Sequence, residues 1–158
     1  MDVTFEMEDG KFNYRVCGII IHEEKLLAMK DYGSPHHYLP GGRVQLHETA
    51  EEAVVREIKE ELEIDSNIIR PLWLNQNFFV QDITQEKYHE LCLYFLMDVS
   101  NSDLISRGNK FLIDEGEEHH SFQWIPFEEL SETYLYPNFI KKEIYNLPKS
   151  LVMITERK

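Results

Sequence analysis

Apolar positions fall into two patterns along the chain. Between 12 and 22, Val16, Cys17, Ile19, Ile20 and Ile21 make a near-continuous apolar run, as in a strand covered on both faces. Glu23-Glu24 then turns the chain, and 25–30 reads as a second short strand, so the two predict a hairpin. A loop at 31–37 carries Gly33 and Pro35. Tyr38-Leu39-Pro40-Gly41-Gly42 follows and ends a strand in backbone free of side chains.

Periodicity changes at 48–64. Ala50, Val54, Ile58 and Leu62 recur every four residues with Val55 beside them, which is the apolar stripe of a helix lying on a sheet. Thr49 is placed as its N-cap, with Glu52 at the capping-box spacing. Asp65-Ser66-Asn67 is a turn. Residues 68–80, interrupted by Pro71, predict one or two strands, and 89–99 a strong one. The stretch 101–118 reads as polar and irregular, and 120–125 as a last strand. A short helix is expected at 126–130 with Pro126 in its first turn, and a C-terminal helix at 138–147. Strands and helices alternate without a repeat, which favours a layered α/β domain with a mixed sheet.

At 158 residues the chain fits one domain, 1–158. Its net charge of −13 repels polyanions, which argues against a nucleic acid polymer or an anionic membrane as partner. A small anion is admitted only where a cation held by carboxylates offsets the repulsion. Cys17 and Cys92 lie in apolar runs and read as buried small hydrophobes. No apolar run approaches the length of a membrane span, and the acidic start lacks the pattern of a secretory signal, so a cytoplasmic location is expected.

The chemistry concentrates at 42–64. Glu57, Glu60 and Glu61 stand at i, i+3 and i+4 of the predicted helix, so their carboxylates are neighbours that repel one another. Shared hard cations would remove that repulsion, and oxygen-only ligands suit Mg²⁺, Mn²⁺ or Ca²⁺ better than zinc. Arg56 can reach Glu52 or Glu60 along the helix or fold back to Glu48, holding a carboxylate in one orientation. Solvated glutamate runs are common on helices, so the acids alone would not carry the argument.

The full pattern does. Gly42, Glu48 and Arg56-Glu57-Ile58-Lys59-Glu60-Glu61-Leu62-Glu63-Ile64 resemble the box of the Nudix hydrolase family. Six fixed positions at about 7% each would coincide by chance about once in ten million starts. One position departs: Glu63 stands where the family has a glycine that ends the helix in a left-handed turn. An ending built from Asp65-Ser66-Asn67 is expected in its place.

The resemblance implies a Nudix-type α/β/α sandwich with a mixed sheet and a metal-dependent pyrophosphohydrolase. Carried over by position, Glu57 and Glu61 would be the principal ligands of Mg²⁺ (or Mn²⁺), Glu60 a ligand or base, and the Gly41 carbonyl a further ligand. Arg56 and Glu48 would orient the acids. Glu118, with Glu115 and Glu117, supplies the distal candidates for the base. The substrate would be a small nucleotide-like diphosphate, such as a nucleoside triphosphate, nucleotide sugar or ADP-ribose, and a homodimer is compatible. The proline that many ADP-ribose members carry past the box is Val80 here, which lowers that substrate. The competing readings are a non-catalytic module of the same fold that senses a nucleotide or sugar, and isomerase chemistry on an isoprenoid diphosphate, against which the hydrolase form of the box argues. Of the remaining residues, His36, His37, His119 and His120 flank the site loops, and Tyr38, Phe78, Phe79 and Tyr94 offer rings for stacking. Glu90 could reach the cleft, although a strand-edge charge is the favoured reading.

Overall fold

The structure, a computed structural model, describes residues 1–157 apart from the side chain of Glu115. In chain order its elements are β1 (Thr4–Met7), β2 (Gly10–Ile19), β3 (Ile21–His22), β4 (Lys25–Asp31), β5 (Gly41–Arg43), α1 (Ala50–Leu62), β6 (Asn67–Val80), β7 (Lys87–Asp98), β8 (Lys110–Glu115), β9 (Glu118–Pro126), α2 (Ile140–Glu143) and β10 (Val152–Arg157). One sheet runs β1-β2-β7-β6-β10 with β5 on β2, and a second runs β3-β4-β9-β8. The first is mixed: β2 pairs parallel with β7, and β10 parallel with β6, while β6 and β7 are antiparallel.

Alternation along the strands sorts the core into two layers. Val16, Leu27, Met29, Phe95 and Met97 pack with Ala53, Val54, Ile58 and Leu62 of α1. Cys17, Ile19, Leu26, Ala28, Trp73 and Tyr94 face the other way, against Leu130, Ile140 and Ile144. Leu130 belongs to a 3-10 helix at Phe127–Glu132, which forms the second helical layer together with α2. The unbroken apolar runs of β2 and β4 are thus those of strands covered on both faces, and the expected α/β/α layering holds. No helix among the described residues is long and apolar enough to cross a membrane.

Several boundaries differ from the sequence reading. The run 12–22 is divided between the sheets at Ile20, and only Ile21–His22 forms the hairpin with β4, through Glu23 and Glu24 at positive φ. Residues 67–80 make a single strand whose pairing slips on either side of Pro71, because proline cannot donate to the ladder. The polar stretch 101–118 contains β8, an edge strand with partly buried Phe111 and Ile113 alternating with exposed Lys110 and Leu112. Pro126 ends β9 in extended conformation, so the turn begins at Phe127. The helix expected at 138–147 shrinks to Ile140–Glu143, since Ile140 and Ile144 anchor one turn only and short helices persist by packing alone. Strands β1 and β10 escape a reading based on apolar runs, because both are largely exposed at the rim of the sheet.

Candidate active site

Helix α1 fixes the acids. The Thr49 hydroxyl accepts from the Glu52 amide at 3.0 Å and starts the helix, while the buried stripe seats it on the sheet. The last acid of the motif, Glu61, is only 8% exposed, and its Oε1 accepts from the Gly41 amide at 2.8 Å. Glu57 lies beneath Gly42, where an added Cβ would stand 2.4 Å from its carboxyl carbon. Burial raises the Glu57 pKa above the usual carboxylate value, and Arg56 opposes the rise.

Arg56 organises the acids around one guanidinium. Its Nε and Nη2 form a bidentate pair with Glu48 at 2.7 and 3.0 Å. Nη1 donates to Glu57 at 3.0 Å and to Glu60 at 3.3 Å, and Nη2 also donates to the Arg43 carbonyl at 3.1 Å. This pairing holds the Glu48 pKa below its usual value, and Glu48 is fixed further by the Gln45 amide. Arg56 takes the backward route to Glu48 and not the one to Glu52. Glu63 adopts the left-handed conformation itself (φ 58°, ψ 38°), its amide bonding to the Lys59 carbonyl, so the family's helix ending survives without glycine.

Buried Glu61 and half-buried Glu57 face a cavity of about 710 Å³. Asp2, Asp31, Glu117 and Glu118 add carboxylates to its lining, against the guanidiniums of Arg15 and Arg43. Glu118 is exposed, with its carboxylate 3.5 Å from Nε2 of His120. His120 is buried at 6% exposure, and its Nδ1 meets Asp31 at 2.7 Å. Asp31 also accepts from the Tyr38 hydroxyl. The Glu115 side chain, the other distal candidate, lies outside the described residues.

Among the described residues, no three His, Cys, Asp or Glu side chains stand together as a ready metal cage. Glu57 and Glu60 accept from Arg56, and Glu61 accepts from the Gly41 amide. The donor set is nonetheless that of a hard cation. All of the box donors are carboxylate oxygens, with buried Glu61 and half-buried Glu57 lining a cavity where carboxylates outnumber guanidiniums, and Gly42 leaves the space that Glu57 occupies.

A second cleft, of about 780 Å³, opens on the other face of the large sheet and shares Arg15 and Tyr38 with the acidic cavity. Tyr38, Phe79 and Tyr94 line it, while Phe78 packs against His89 and Arg157. His36 joins the lining, its ring 5.3 Å from that of Tyr136. Glu90 is no edge charge: β7 lies between β2 and β6, and Glu90 faces the cleft while accepting from Asn13 at 2.8 Å. Arg15, Asp31, Asn75 and Asn77 were not singled out in the sequence. The available signal was alternation, since Asn13 and Arg15 place polar residues two positions apart in an otherwise apolar strand. Cys17 and Cys92 are buried as expected and form no disulfide, the Cys92 thiol donating to Cys17 Sγ at 3.7 Å on the cleft floor.

Comparison with known proteins places this geometry in context. The family model described as NUDIX domain matches residues 11–146. An ADP-ribose pyrophosphatase of Methanocaldococcus jannaschii is 35% identical over 92 residues, 56% of this chain and 52% of that protein. The mRNA-decapping protein D10 of fowlpox virus is 28% identical over 124 residues, 74% of this chain and again 52% of that protein. The chain therefore spans about half the length of these curated relatives. A MutT protein of Bacillus halodurans superposes with a TM-score of 0.62 at 14% identity, covering 90% of this chain and 88% of that one, which is a likeness of fold.

Proposed function

Since the chain belongs to the NUDIX family, we propose that it is a Mg²⁺- or Mn²⁺-dependent hydrolase that cuts the diphosphate linkage of a nucleoside diphosphate derivative and releases a monophosphate product. The supporting observation is the meeting of two cavities at Arg15 and Tyr38, one lined by the box acids and one by aromatic rings. A diphosphate bound at the junction would leave its head group in the aromatic cleft.

Glu57 and Glu61 would hold the metal, with Glu60 and the Gly41 carbonyl as further oxygens. A divalent ion in such a site neutralises diphosphate charge and makes the attacking water more acidic. Arg56 keeps Glu57 and Glu60 in place through its Glu48 anchor. Arg15, which makes no ion pair with the described carboxylates, takes a phosphate oxygen. Glu118 accepts the proton of the attacking water, with His120 and Asp31 steadying it, and Glu60 is the alternative acceptor. Val80, in place of the proline of many ADP-ribose members, lines the head-group cleft, so this reading leans to a nucleoside triphosphate over ADP-ribose. The thiols of Cys17 and Cys92, which form no disulfide, suit a reducing compartment such as the cytoplasm.

The test is turnover of nucleoside triphosphates, nucleotide sugars, ADP-ribose and dinucleoside polyphosphates with Mg²⁺, the products separated by chromatography, with Glu61→Gln alongside. A monophosphate product that needs both metal and Glu61 supports the proposal. Tight nucleotide binding without cleavage across the panel would sink it in favour of a sensing module.

A further inference from the structure

Cys17 and Cys92 take no part in the proposed hydrolysis, yet both line the larger cleft. At these positions β2 is paired with β5 and β7, and β7 with β2 and β6, so sheet pairing covers the backbone of each cysteine. The exposure they keep, 7% and 6%, therefore belongs to side chains turned toward the cleft. Their sulfurs are 3.7 Å apart.

Register decides what can join them. Cys92 is directly opposite Arg15 and Cys17 directly opposite Tyr94, so the two cysteines are diagonal neighbours on parallel strands. Strand spacing and rise put the Cα atoms of such a diagonal pair about 8 Å apart. A disulfide spans only about 7 Å without moving the backbone. One atom held between the sulfurs needs no such movement. In a tetrahedral shell with metal–sulfur bonds of about 2.3 Å, two sulfurs stand about 3.8 Å apart, which is close to the separation observed.

The Cys92 thiol, burial and Glu90 push the Cys17 pKa up, and the Arg15 guanidinium opposes them. The thiols therefore keep their protons until an ion displaces them, and binding releases two protons to solvent. The charges of Arg15 and Glu90 beside the pair cancel, so two thiolates with a dication leave this part of the floor neutral, whereas a monocation would leave it negative. Thiolates are soft ligands that take Zn²⁺ or Cd²⁺, while Mg²⁺ prefers oxygen.

We infer that Cys17 and Cys92 form a two-thiolate site for a thiophilic d¹⁰ dication on the floor of the larger cleft, distinct from the carboxylate site of the box. The inference does not depend on the proposed hydrolysis. Two protein ligands leave two positions of the tetrahedron open to the cleft, where water or a donor of the cleft's occupant completes the shell. A site of this kind lies below the three clustered side chains of a ready cage, in keeping with the absence of such a cage among the described residues.

Zinc binding to the whole chain in a large excess of Mg²⁺, which occupies the carboxylates, tests this, with the zinc shell read by X-ray absorption. One zinc per chain is expected, with two sulfurs at about 2.3 Å. The chain has two cysteines in all, so two thiolate sulfurs can come only from this pair. Cys17→Ser and Cys92→Ser, with folding verified by circular dichroism, should each weaken zinc binding by about 100-fold or more, beyond the scale of losing a supporting contact. Should neither variant fold, the wild-type spectrum decides alone. A zinc shell of nitrogen and oxygen only, no zinc retained at about 100 μM, or unchanged affinity in a folded serine variant each overturns the inference. Zinc on two sulfurs in a protein that cleaves no nucleotide would count against the hydrolase and leave this inference standing.

Discussion

Gly42 and Glu57 are in close apposition: a Cβ on the glycine would stand 2.4 Å from the carboxyl carbon and both carboxylate oxygens would lie within 2.6 Å. The glycine is thus required for space. Alanine there must push the carboxylate out of its position under the loop, and Glu57 belongs to a helix too well packed to follow. Gly42→Ala is expected to lower kcat/KM by about 10- to 100-fold, the scale on which misplaced groups around a metal act. A rise in the Mg²⁺ concentration needed for half-maximal rate should accompany it. Activity within about twofold of the parent would mean that Glu57 does not need this position.

Arg56 should not tolerate lysine. The guanidinium serves Glu48 with two nitrogens and Glu57, Glu60 and the Arg43 carbonyl with the remaining donors, which an ammonium on a flexible stem cannot reproduce. Breaking the bidentate pair leaves Glu48 and Glu57 partly buried and poorly compensated. Arg56→Lys is expected to destabilise the fold by about 1–3 kcal/mol, read from urea denaturation, and to reduce kcat about tenfold or more through mislaid acids. Loss of stability with an unchanged kcat would assign Arg56 a purely structural role.

The box was legible because a helix turns sequence spacing into spatial neighbourhood. Glu57, Glu60 and Glu61 at i, i+3 and i+4 share a region of α1 whatever the rest of the fold does. The larger cleft was not, because sheet pairing makes its neighbours. Asn13 and Glu90 are 77 positions apart and Asn75 and Glu156 are 81 apart, and nothing local announces that they meet. Asp31 and His120 are likewise brought together only by the β4–β9 register. The strongly apolar strands were found in the sequence, whereas β1, β8 and β10 lie toward sheet edges where solvent takes one side and the apolar signal thins.

Glu63 offers a stabilising change. It is exposed and holds φ 58°, a conformation that strains a side chain with a Cβ. Glycine relieves that strain while giving back some freedom to the unfolded chain. Glu63→Gly is therefore expected to raise unfolding free energy by about 1 kcal/mol, with the helix ending and turnover preserved. A neutral or destabilising result in urea would show that the Glu63 carboxylate contributes contacts that offset its backbone.

His37 should give the stability a pH dependence of known sign. Burial lowers its pKa, as do Lys30, Lys110 and His36 nearby, while the Tyr134 carbonyl opposes them. The folded protein therefore favours the neutral ring, whereas the unfolded chain takes up its proton at about pH 6.5. Above that pH both states are neutral and His37 imposes no penalty. As pH falls below it, the unfolded state binds the proton first, and stability is lost progressively until the folded pKa is also passed. Glutamine at this position does not titrate, and every other group is common to both proteins. The difference in unfolding free energy, wild type minus His37→Gln, should hold steady from about pH 8 to 7 and then fall steadily toward about pH 5.5. A difference that is flat over that range, or that grows on acidification, would place the imidazole in surroundings that favour its charge.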